Sequence, residues 1–137
     1  MSPPATIELD THDAAHQLRL AEIEKFSDGS GYVCRAEVQS GEFSYRGPFF
    51  FDDTSLRPSV EALELACAGS SSQGSATLKG QWETDFILFR WNEFGHVFVE
   101  GVLSEQTVPL QRLEFAFRTD QTVLEALARH LRLWLAA

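Results

Sequence analysis

The sequence predicts an α+β fold: a mostly antiparallel sheet of about six or seven strands with two helices, the C-terminal one packed on the sheet. Three observations lead there. Segments such as YVCRAEVQS, Tyr32 to Ser40, alternate apolar and polar residues as a half-buried strand does. Two stretches, around residues 57–68 and 119–135, instead carry apolar residues at helical spacing. The strand-like segments follow one another through short turns, without the strand–helix–strand alternation of a parallel sheet.

The elements read as follows from the N-terminus. Residues 1–16 carry no strong pattern and are expected to be loosely ordered, with THDAAH (Thr11 to His16) a loop or an abortive helical turn. QLRLAEIEKF alternates at Leu18 and Leu20 and then shifts phase to Ile23, which predicts a bulge or bend in a strand. SDGSG is a turn signal before the strand at Tyr32. A further strand runs from Phe43 to Tyr45, and GPFFFDD continues as an edge or bulged strand because Pro48 cannot donate to a ladder. A helix over RPSVEALELACA follows, capped by Ser55 or Asp53, with Pro58 in its first turn. Its apolar stripe is Val60, Leu63 and Cys67, with Leu56 just before it, and Gly69 ends it. GSSSQGS is a flexible loop.

Strands are then expected in ATLKGQW, TDFILFRW and HVFVEGVL, the last two joined by NEFG with Gly95 at positive φ. LQRLEFAFR is another strand, with Leu113, Phe115 and Phe117 on one side. The C-terminal helix is capped by Thr119 or Asp120 and carries a wide stripe of Val123, Leu124, Leu127, Leu131, Trp134 and Leu135. No internal repeat or domain break is legible, so residues 1–137 read as a single domain, a size at which one core suffices without disulfides.

Charge restricts the function. The net charge is −9; the chain to Gly69 holds 12 acids against 5 Lys/Arg, and the remainder 8 against 6. Nucleic acid and anionic membrane surfaces are poor partners for such a chain, because both are bound through Lys and Arg. A basic protein would be attracted and steered. The two cysteines make neither a metal motif nor a disulfide framework. The start MSPPATIELD lacks the basic and apolar regions of a secretory signal, and a cytoplasmic protein with reduced thiols is expected.

Several residues invite a chemical reading. His12 and His16 have the spacing that pairs imidazoles on a helix face, but a metal site needs a third ligand. Cys67 and His96 could form a nucleophile and its base, yet Cys67 belongs to an apolar stripe and no cysteine-hydrolase signature surrounds it. Cys34 reads as an inward strand residue. His96 follows Gly95 at the opening of a strand, where it either acts as a base or bonds a turn or sheet neighbour. The serines of GSSSQGS lack both the G-x-S-x-G frame and a phosphate-cradle lysine. No metal, cofactor or catalytic residue is therefore expected.

The acidic residues near aromatic ones point instead to a partner surface. Asp52 and Asp53 precede the first helix, and Glu83 and Asp85 follow Trp82. Trp82 either packs into the sheet or serves as an aromatic anchor in an acidic rim. Glu93 and Phe94 occupy the tip of the turn before His96. The sheet edge near Pro48 could support a homodimer.

One stretch carries a family likeness. From Phe26 to Leu135 the chain runs through an early strand pair, a helix ending in small residues, and GQW leading to ILF; a short turn into GHVFVEGVL, an aromatic strand and an amphipathic helix complete it. This order resembles an uncharacterised bacterial family of small cytoplasmic proteins related to the WapI-type immunity proteins of polymorphic toxin systems. Gly95-His96-Val97, followed by alternating apolar residues, is its sharpest piece. The resemblance implies a non-catalytic inhibitor that binds a cognate, basic toxin domain without a cofactor. It carries no binding residues over. The alternative reading is a small-ligand binder with an apolar pocket between sheet and helices.

Overall fold

In the computed structural model, residues 2–69, 73–105 and 110–137 are described. They form an α+β fold of eight strands and two helices. The order is β1 (Ile7–Glu8), β2 (His16–Lys25), β3 (Tyr32–Ser40), β4 (Phe43–Phe51), α1 (Asp53–Cys67), β5 (Gly74–Lys79), β6 (Phe86–Trp91), β7 (His96–Glu105), β8 (Gln111–Asp120) and α2 (Thr122–Ala136). Four strands and a helix thus occur twice in succession. The strands make two four-stranded antiparallel sheets, β1-β2-β3-β4 and β5-β6-β7-β8, rather than one. The count exceeds the expectation because Ile7 and Glu8, within the segment read as loose, pair with Leu20 and Arg19. That segment also contributes the buried Ile7 and Leu9, and the Pro4 carbonyl accepts the Trp134 indole N–H at 2.7 Å.

Most local signals lead to the expected elements. The phase shift in β2 is a bulge: pairing with β3 breaks between Ala21 and Glu24, and Glu22 takes a φ of 54°. The side chains of β3 alternate as predicted, with Tyr32, Cys34, Ala36 and Val38 buried. Pro48 does lie on an edge strand, but β4 is one continuous strand from Phe43 to Phe51, paired without a break to β3. Asn92 builds the tip before β7: its side-chain oxygen accepts from the N–H groups of Phe94 (3.0 Å) and His96 (3.2 Å), with Gly95 at a φ of 83°.

The first helix departs from its prediction at both ends. It starts at Asp53, and its cap is Asp52, whose carboxylate accepts the Thr54 N–H. Neither Ser55 nor Asp53 caps it, and Pro58 sits inside the helix rather than in its first turn. Leu56, Val60 and Leu63 are buried as expected, but Cys67 is exposed at the last turn. The stripe ends one turn early because the chain leaves the core through Gly69, at a φ of 75°. Of the GSSSQGS loop, Ser70 to Ser72 lie outside the described residues.

Ser55 and Ser59 have another task. The Ser55 hydroxyl accepts the Lys79 N–H at 3.0 Å and donates toward the Lys79 carbonyl at 2.8 Å. The buried Ser59 hydroxyl lies 2.7 Å from the Ser55 carbonyl and 2.8 Å from that of Thr77. Helix α1 therefore satisfies the open edge of β5, which would otherwise present unpaired backbone groups.

Helix α2 buries all six residues of its predicted stripe. Asp120 accepts the Thr122 N–H at 2.9 Å, closing the helix start from one residue before the formal cap, Gln121. At its far end Trp134 lies edge-on to Tyr32, with ring centroids 6.3 Å apart. Arg132 grips Glu64 of α1 through two bonds of 3.0 and 2.5 Å, a partly exposed pair worth up to about 1 kcal/mol. Buried side chains from both sheets and both helices join in one contiguous cluster. Between the sheets, the Tyr45 hydroxyl donates to the Ser104 carbonyl at 3.1 Å, and His16 packs on Phe117 with centroids 5.7 Å apart.

Gly101 lies in a tight place beside that cluster. A Cβ there would lie 2.6 Å from the Phe86 carbonyl oxygen and 2.8 Å from the Phe115 ring. Gly101→Ala is expected to cost about 1–3 kcal/mol by overpacking, read as a lower urea midpoint with an unchanged slope.

Candidate partner interface

The residues expected at a partner surface fall in two places. Asp52, Asp53, Trp82, Glu83 and Asp85 gather where β4 passes into α1 and β5 into β6. Glu93 and Phe94 lie at the opposite end of β6, a strand about 20 Å long.

The first group is built on Asp52. One oxygen accepts the N–H and hydroxyl of Thr54, at 3.1 and 2.5 Å, and the other the Gln81 N–H at 2.7 Å. A second tie is the Asp52 N–H donated to the Lys79 carbonyl at 3.3 Å. The carboxyl is held below the usual aspartate range: partial burial opposes ionisation, but hydrogen bonds from the Thr54 hydroxyl and from the Gln81, Ser55 and Thr54 amides outweigh it. Asp53 is also committed, accepting the hydroxyl of the buried Tyr32 at 2.7 Å. These two aspartates hold the scaffold rather than offering free charge.

Their reward is the fixed position of the next loop. A turn closed by the Glu83 N–H on the Gly80 carbonyl, at 3.1 Å, carries Gln81 and Trp82. A Cβ on Gly80 would meet Glu83 of the same turn at 2.7 Å and the Phe50 carbonyl at 3.5 Å, so the turn is closed on itself and lies beside β4. Trp82 does not pack into the sheet: it is 88% exposed, with Phe50 41% exposed on the strand beside the turn. Beside Phe50 lies a cleft of about 40 Å³ lined by Pro48, Phe49, Phe50, Glu83, Asp85 and Ser104. One Asp85 oxygen accepts the Ser104 N–H at 2.8 Å; the other is buried and has no hydrogen-bond donor among the described residues. Burial, followed by the nearby charges of Asp85 and Glu105, raises the Tyr45 phenol above its ordinary value. The surface therefore combines a projecting indole, a half-exposed phenyl ring and carboxylates.

At the other end of β6, Phe94 is 75% exposed beside the exposed Glu93 on the Asn92-braced tip. His96 opens β7 on the outward side, edge-on to Phe98 with centroids 6.4 Å apart, and its N–H is held by Asn92. Around the Cys67 thiol, burial and then the carboxylates of Glu125 and Glu64 push its pKa up, which disfavours the thiolate. Burial alone pushes that of Cys34 up to about 12. His12 and His16 share no helix face: His12 sits in a turn at a φ of 55° beside Asp10, and His16 begins β2 with its ring nitrogen 2.8 Å from Asp13. Among the described residues no group of three potential ligands could hold a metal ion.

Sequence reasoning missed one charged group altogether. On the outer face of the first sheet, Arg19, Arg35 and Arg46 all reach Glu37, at 3.3, 3.0 and 3.2 Å. Burial works against the Glu37 carboxylate, but the charges of Arg35 and Arg46 hold its pKa below the ordinary value. Arg19 and Arg46 stand on either side of Glu37 in the strand register, so only the pairing of β2, β3 and β4 reveals the set. The groove beside it, about 360 Å³, is open and lined mainly by polar and charged side chains.

The fold and this surface define an α+β protein that displays aromatic side chains on braced turns. Comparison with protein-family models, with curated proteins and with solved structures gives no match.

The Asp52 brace makes a pH-dependent prediction. Its folded-state pKa lies below the unfolded one, so its stabilisation is fully present above about pH 4 and is lost as pH falls through the folded value. Asp52→Ala is expected to cost about 1 kcal/mol at neutral pH. The gap from wild type in urea unfolding should close in acid; a gap independent of pH would contradict the assignment.

Proposed function

We propose that the chain is a non-catalytic protein-binding module that captures a basic protein partner. The observation that carries this reading is Trp82: a large apolar side chain, 88% exposed, on a turn braced by Asp52 and bordered by Glu83. A solvated indole has no role in the core, whereas tryptophan is enriched among the few residues that supply most interface affinity. Bracing lowers the entropy lost on binding. The net charge of −9 steers a cationic partner toward the surface.

Within this class the specific role is neutralisation of a cognate toxin by direct binding in the cytoplasm, the role that the likeness to WapI-type immunity proteins implies. Cells expressing the toxin domain encoded beside this gene should grow when the chain is co-expressed. An adjacent product that is harmless, or growth arrest that the chain does not relieve, overturns the role. Trp82→Ala should weaken partner binding by about 2 kcal/mol, roughly 30-fold, in a titration with the purified partner. Its unfolding midpoint should stay within experimental scatter of wild type, because the side chain buries almost nothing.

A further inference from the structure

The last strand of the second sheet, β8, is open along one side. Beyond its pairing with β7, none of the backbone hydrogen bonds recorded for the described residues reaches residues 112–118 from the far side. The outward side chains of this strand are Arg112, Glu114, Ala116, Arg118 and Asp120, all exposed. Their charges change sign on reflection about Ala116: Arg112 mirrors Asp120 and Glu114 mirrors Arg118. Laid antiparallel against a second copy with Ala116 opposite Ala116, the strand sets Arg112 opposite Asp120 and Glu114 opposite Arg118. Each pair occurs twice across the two-fold axis.

We propose that the chain forms a homodimer by antiparallel pairing of β8 with β8 of a second copy, joining the two second sheets into one continuous eight-stranded sheet. The register is set by charge. A slip of two residues one way opposes Arg112 to Arg118; the other way it opposes Glu114 to Asp120. Like charges directly opposite destabilise a strand pair. A slip of one residue would mismatch inward and outward faces. In the chosen register Ala116 lies at the axis opposite its own copy, and on the inner face Phe115 comes opposite Phe117.

Edge strands that avoid self-association carry charged side chains, a proline or a bulge. β8 has no proline and pairs with β7 without a bulge, and its charges are of both signs, placed so that a second copy complements them. By contrast, β4, the edge expected from the sequence to dimerise, contains Pro48, which has no N–H to donate. The arrangement also leaves the Trp82 turn free, because β5 and β8 are opposite edges of their sheet.

The test uses the full chain in sedimentation velocity. Wild type should be a dimer at micromolar concentration and dissociate as salt is raised, since exposed pairs are screened. Arg118→Glu sets carboxylates against carboxylates at both ends of the interface, and Glu114→Arg sets guanidiniums against guanidiniums. Each variant alone should bind itself at least about tenfold more weakly than wild type and sediment as a monomer. An equimolar mixture restores opposite charges at both places and should sediment as a heterodimer. Monomeric wild type at its highest soluble concentration, single variants that remain dimeric, or a mixture that stays monomeric each overturns the proposal. Amide exchange on wild type supplies a reading that needs no variant. Outward amides of β8 should become protected as concentration rises, and exchange independent of concentration overturns the pairing.

Discussion

The open edge of β5 would expose a row of unpaired backbone groups at the point where the two halves of the chain meet. Helix α1 closes it, through Ser55 on both polar groups of Lys79 and Ser59 on the carbonyl of Thr77. Asp52 completes the junction by capping the helix and binding Gln81. The same few hydrogen bonds therefore start the helix, end the sheet and fix the turn that carries Trp82. If the junction shifted, the indole would lose its fixed direction and the second sheet its protected edge.

Charge is distributed in a way that suits this division of work. The carboxylates of Asp52 and Asp53 are spent on local hydrogen bonds, and Glu37 on the arginines of the first sheet. Glu83 and Glu93 remain exposed beside exposed aromatic rings. The edge strand β8 carries alternating signs that its own reversed sequence complements. Net acidity thus favours a cationic partner, while the local pattern on β8 favours a second copy of the same chain.

Much of the local structure could be read directly. The alternation of β3, the phase slip that becomes the bulge at Glu22, the positive φ of Gly95 and the stripe of α2 all follow from the spacing of side chains along one segment. Signals that depend on a distant segment were harder to read. By sequence Asp52 reads as an acidic residue of a partner surface ahead of the first helix; its role as a brace is hidden because its second partner, Gln81, is 29 residues away. Ser55 reads as a cap because serine caps helices; in the structure its hydroxyl bonds the backbone of Lys79. Cys67 continued an apolar stripe by spacing, but the helix had already left the core. The two sheets repeat an order of elements without a legible repeat of sequence, since many apolar patterns satisfy the same strand and helix periods.

Composition and periodicity by themselves determined an acidic α+β protein with antiparallel strands, two amphipathic segments and no evident catalytic motif. These properties reside in single residues or short windows, and elementary sterics and solvation decide them locally. The tertiary structure decided which strands share a sheet, that Asp52 rather than Ser55 caps α1, and that Trp82 faces solvent. It also separated Glu93 and Phe94 from the acidic residues near Trp82 by the length of β6. These are questions of register and of which face remains uncovered, and only the contacts between segments far apart in the chain answer them.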